Sequence, residues 1–132
     1  MMEYSTKLKQ LARERPGFGE LLHYDHLLDG RNRKCGDHLK LYIQMHHGKL
    51  VDLKYQGDAC ALCMASASLM IETLRGSSLA ETLESYQALQ QVLKGNKTTT
   101  EFQMFSGWAG KTMRSGCIDL PWKTLFQLDE PW

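Results

Sequence analysis

The chain alternates most regularly between His38 and Met45. Leu39, Leu41, Ile43 and Met45 are apolar, while His38, Lys40, Tyr42 and Gln44 lie between them. A period of two marks a β-strand with one buried face. His47-Gly48-Lys49 then reads as a turn, and Val51, Leu53 and Tyr55 alternate again, so the two strands form an antiparallel hairpin. Upstream, Leu8 and Leu11 stand at helical spacing within Tyr4 to Arg13, a short amphipathic helix that Pro16 ends before an irregular Gly17-Phe18-Gly19. Leu21, Leu22, Leu27 and Leu28 flank a polar centre and suggest a further short strand.

Beyond Gly57 the period changes. The small residues Ala61, Ala65, Ser66, Ala67 and Ser68 lead into Leu69, Met70, Thr73 and Leu74, which predicts a helix from Ala61 to Arg75 stopped by Gly76. Ser78 followed by Glu81 is a capping-box signature. Leu79, Leu83, Tyr86, Leu89 and Val92 then carry one face of a second helix to Lys94. Pro121 to Gln127 reads as a last short helix opening on proline. The order is helix, strands, then helices. It predicts an α+β fold: a small antiparallel sheet of about three strands with helices packed on one face.

The length of 132 residues fits a single domain over 1–132. A net charge of +1 excludes a strongly basic nucleic-acid footprint, so no nucleic-acid partner is expected. No apolar run is long enough to span a membrane, and Met1 to Lys9 has no apolar signal core. A cytoplasmic protein is the expectation. In that setting four cysteines point to a metal or to reactive thiols rather than to disulfides.

Cys35 and Asp37 flank Gly36 just before the first clear strand, and the glycine lets both side chains turn to one centre. Cys60 stands where a helix N-terminus should begin, and unpaired amides there favour a thiolate. Cys117 comes much later. Cys35, Asp37, Cys60 and Cys117 are a plausible tetrahedral zinc set. Four anionic ligands around Zn²⁺ would call for a nearby cation, for which Arg114 is the candidate. Cys63 completes a Cys60-x-x-Cys63 motif and offers a competing four-cysteine site. Within the first turn of a helix it could equally face the core, and the spacing leaves both readings open. The five histidines read as surface residues, and Trp108, Trp122 and Trp132 as core or partner-facing anchors.

Cys35-Gly36-Asp37 before an alternating strand, Gly57-Asp58-Ala59-Cys60, Met64-Ala65-Ser66-Ala67-Ser68 and Cys117 resemble the U-type iron–sulfur assembly proteins. That family comprises IscU, SufU and the N-terminal domain of NifU. The chain is most similar to the SufU branch. It has a long gap between Cys60 and Cys117, Arg114 before the last cysteine, and Leu120-Pro121-Trp122-Lys123-Thr124-Leu125 like that branch's ending. Gly116 stands where the IscU branch carries histidine, and Asn32-Arg33-Lys34 replaces the usual Asn-Pro before Cys-Gly-Asp. The resemblance implies an antiparallel sheet with helices packed on it. It also implies a zinc-dependent sulfur acceptor, a sulfurtransferase partner of a SufS-like cysteine desulfurase. Zinc would be held by Cys35, Asp37, Cys60 and Cys117. A desulfurase histidine would displace Cys35, whose thiolate would take the persulfide sulfur and pass it to downstream iron–sulfur assembly proteins. The alternatives are a scaffold holding an iron–sulfur cluster on the same ligands, or a structural zinc domain that binds a partner.

Overall fold

A computed structural model describes residues 2–98 and 100–128, with side chains described from Thr6 onward. The elements run α1 (Met2–Glu14), β1 (His26–Asn32), β2 (Asp37–His46), β3 (Lys49–Asp58), α2 (Ala61–Leu74) and α3 (Leu79–Leu93). A 3₁₀ helix (Glu101–Trp108) and α4 (Thr112–Leu125) follow. The strands form one antiparallel sheet in the order β1-β2-β3. Helix α4 lies over β1 and β2, and α2 packs against β3 and α4. The expected α+β architecture is therefore present, with Leu39, Leu41, Ile43, Leu53 and Tyr55 fully buried beneath the helices.

The β2–β3 hairpin closes through His47 and Gly48, both at positive φ (51° and 76°), as a tight two-residue turn between right-twisted strands requires. The alternation expected for β3 fails at one position. Gln44 faces Asp52 and Met45 faces Leu50, so Val51 is an extra, unpaired residue. This β-bulge swaps the faces: Leu50 is buried and Val51 is 42% exposed. Tyr42, on the face away from the helices, is also buried, under Tyr24, and its hydroxyl donates to Gln56 at 2.8 Å.

Arg15 and Gly17, at φ of 50° and 83°, turn the chain out of α1. Residues 17–19 are not irregular: Tyr55 N–H donates to Gly17 O and Gly19 N–H to Tyr55 O, which pairs the segment with β3. Ser78 and Glu81 form the expected capping box on α3.

The last helix departs most from expectation. It begins at Thr112, not Pro121, and Pro121 lies inside it. A proline opens a helix because its missing N–H is not needed there. Here the preceding turns already exist, and burial of Cys117, Ile118, Leu120, Trp122 and Leu125 outweighs the lost bond. Ser66 of α2 holds α4 in place: its hydroxyl donates to Ile118 O at 2.5 Å and accepts from Trp122 Nε1 at 3.3 Å. Trp122 also stacks on Tyr86 and meets Phe102 edge-on, an anchor of the core as expected. Trp132 lies outside the described residues.

Candidate metal centre

The ladder between β1 and β2 ends at the pair Asn32–Asp37, leaving Arg33 to Gly36 as a four-residue loop. Gly36 closes it at φ 75°, a left-handed conformation that disfavours a side chain, and donates to Asn32 O at 2.9 Å. Cys35 sits half-buried on this loop, and Asp37 opens β2 with 5% of its surface exposed. Across the sheet β3 ends at Asp58, and Cys60 takes the N-cap position of α2 in extended conformation. Its backbone N–H donates to Asp37 Oδ1 at 2.9 Å, so the carboxylate meets one of the free amides at the helix start.

Cys117 is not ahead of the last helix but within its second turn, fully buried. This brings residues 82 apart in sequence together: Cys35 Sγ and Cys117 Sγ are 2.9 Å apart. One ligand atom each from Cys35, Asp37 and Cys117 lies within 4.8 Å of the other two. Cys60 is outside that set, although its backbone is bonded to Asp37.

The donor chemistry fits a metal ion. Among the described residues, Asp37 Oδ2 is the one buried side-chain polar atom without a hydrogen-bond partner. Such an oxygen is costly to leave unpaired, and beside two thiols it is a ready ligand. Burial pushes the Cys117 thiol up, and Cys35, Asp37 and Cys60 push it the same way. Thiols and a carboxylate held this close are compatible as anions only around a cation.

Cys63 faces the core. It is fully buried in the first turn of α2 among the core residues, and burial, with Asp37, Cys60 and Cys35 nearby, pushes its thiol up. It is not in the close ligand group. Arg114 is exposed on the first turn of α4 and, among the described residues, makes no ion pair or hydrogen bond to the cluster. His38 lies beside Asp29, His46 and His47 pack on each other, and no histidine joins the close group. Sequence reasoning missed Asn32, whose Nδ2 points to Cys117 Sγ at 3.9 Å. Its one signal was that it precedes the Cys-Gly-Asp loop by three positions.

The model for the NifU-like N terminal domain matches residues 18–113, ending just short of Cys117. The chain is 28% identical to the iron–sulfur cluster assembly scaffold protein IscU of Thermotoga maritima, over 94% of this chain and 90% of that one. It is 25% identical to the zinc-dependent sulfurtransferase SufU of Bacillus subtilis, over 75% of this chain and 71% of that one. Among solved structures it resembles a putative iron–sulfur cluster assembly scaffold protein for the SUF system from Fervidobacterium islandicum, at 29% identity and TM-score 0.85 over 96% of each chain.

Proposed function

The chain belongs to the NifU-like N-terminal domain family of U-type iron–sulfur cluster assembly proteins, and on that premise we propose that it is a zinc-dependent sulfur acceptor served by a cysteine desulfurase. The observation that carries this reading is the unequal exposure of the cluster. Cys35 is half-open on its loop, while Asp37 and Cys117 are buried beneath it. A partner can reach Cys35 and the equally half-buried Cys60 but not Cys117, and of the first two Cys35 alone belongs to the close ligand group.

Cys35, Asp37, Cys60 and Cys117 would hold the zinc. Bound there, zinc keeps the thiols ionised at neutral pH. The reaction itself is thiol exchange. The Cys35 thiolate attacks the outer sulfur of the desulfurase persulfide, a new S–S bond forms, and the old one breaks. The desulfurase cysteine leaves as a thiolate, and Cys35 carries the persulfide with its proton. One sulfane sulfur has moved with no net oxidation. Asp37, fixed by the Cys60 amide, stays in place while Cys35 reacts.

The test uses a cysteine desulfurase, cysteine and this protein, with peptide mass mapping under non-reducing conditions. One added sulfur on the Cys35 peptide is expected, and none in Cys35→Ala. Sulfur found on Cys60, or undiminished uptake by Cys35→Ala, would refute the assignment. The scaffold reading is supported by the Thermotoga relative, which is named a scaffold and covers nearly the whole chain. Elemental analysis after anaerobic purification separates the two: zinc alone supports the acceptor, whereas iron with acid-labile sulfide supports the scaffold.

A further inference from the structure

A groove of about 390 Å³ runs between the β1–β2 connection and α4, its lining reaching Lys34, the residue before Cys35. Arg31, Arg33 and Lys34 line one side, Lys123 lines the other, and no acidic side chain is among the lining residues. The three cations on the loop side are exposed, and among the described residues none has an ion-pair partner. Lys123 is partly spoken for by Asp119 at 3.4 Å. On a chain of net charge +1 this is a local concentration of charge, not a general property of the surface.

Gly116 helps keep the groove open. A Cβ at that position would lie 3.2 Å from Asn32 Nδ2, so any larger side chain would project between α4 and the loop. The cations stand on opposite walls rather than converging on one point, and no buried donor marks a cradle for a compact anion. This shape suits an extended chain carrying repeated negative charge.

We propose that this groove docks an acidic polypeptide segment of a partner protein and thereby holds that partner against Cys35. The link to exchange at Cys35 rests on the sulfur-acceptor reading; the binding itself does not.

The probe is a fluorescein-labelled decaglutamate peptide, followed by anisotropy against the full-length protein at low and moderate salt. Binding should weaken as salt rises, and Arg31→Gln/Arg33→Gln/Lys34→Gln should weaken it about tenfold. Lys9→Gln/Lys97→Gln, exposed lysines that line no part of the groove, should leave it within about twofold. Gly116→Leu should weaken it without removing any charge, and circular dichroism will verify that each variant is folded. Equal binding by the triple variant, or an unaffected Gly116→Leu, overturns the proposal. So does competition by pyrophosphate at the concentration of glutamate residues that competes, which would make this a small-anion site. Preferential competition by a single-stranded oligonucleotide of equal charge would assign the groove to nucleic acid instead. Cys35→Ala separates the two claims. If it binds the probe normally while the wild-type protein accepts no sulfur from the desulfurase, the groove stands and the acceptor reading falls. If the triple variant loses the probe yet accepts desulfurase sulfur at the wild-type rate, the acceptor reading stands and the docking claim falls.

Discussion

Asp37→Asn should stabilise the metal-free protein and shrink its stabilisation by zinc. The amide oxygen of asparagine can keep the bond from Cys60 N–H, which now ends on Oδ1 at 2.9 Å. The second oxygen, buried and unpartnered, becomes an NH₂ that can donate to the sulfur of Cys35 or Cys117. Removing an unsatisfied buried acceptor is worth about 1–3 kcal/mol. In chelator, the variant should therefore melt higher, by roughly 4–12 °C for a chain of this size. With zinc at 100 times its dissociation constant the wild type gains about 2.7 kcal/mol. A variant binding about 100-fold more weakly gains only about 0.4 kcal/mol, so the gap between the two closes by about 2.3 kcal/mol. Differential scanning calorimetry with EDTA and with zinc reads both values. A variant destabilised in EDTA would show that Asp37 Oδ2 is satisfied without a metal. Equal zinc responses would show that Asp37 is not a ligand.

Three other measurements address the frame around the site. Ser66→Ala leaves Trp122 Nε1 without its acceptor inside the core, and urea unfolding should show a loss of about 1–3 kcal/mol. Gly30→Ala would drive its methyl into Thr124 Oγ1, because β1 passes directly under α4 there; a loss of about 1–3 kcal/mol is expected. Adding Thr124→Ala should recover part of it in a double-mutant cycle, and strict additivity would refute the close approach. Iodoacetamide mapping of chelator-treated protein should label the half-buried Cys35 and Cys60 first and Cys63 and Cys117 last, since those two are fully buried and burial pushes both thiols up. Early labelling of Cys63 would contradict its place in the core.

The parts legible in the sequence are those where one period or one local bond decides the structure. Leu39, Leu41 and Ile43 could sit on only one face of β2, and Ser78 with Glu81 specify a helix start without help from elsewhere. The bulge was hidden because Leu50 and Val51 are both apolar, so either could face inward until β2 fixed the register. Helix α4 was hidden for a different reason. It is buried on several sides, which erases the polar stripe that gives a helix its period, and both Gly116 and Pro121 read as breaks. The site divides along the same line. Cys35, Asp37 and Cys60 lie close to turns that the pattern reveals, whereas the position of Cys117 depends on a helix visible only through its packing.

The tie between Ser66 and α4 bears on how the cluster can open. Cys60 and Cys117 ride on α2 and α4, which Ser66 and Trp122 fasten into one block, and the Cys60 amide tethers Asp37 to that block. Cys35 is the exception: it hangs on a four-residue loop closed by a glycine. With the proposed four ligands, the centre would be a three-sided socket with one wall on a loop. On the proposed acceptor reading, Cys35 would move outward to meet a partner through torsions in its loop while the core stays shut, and return to a socket that has kept its shape.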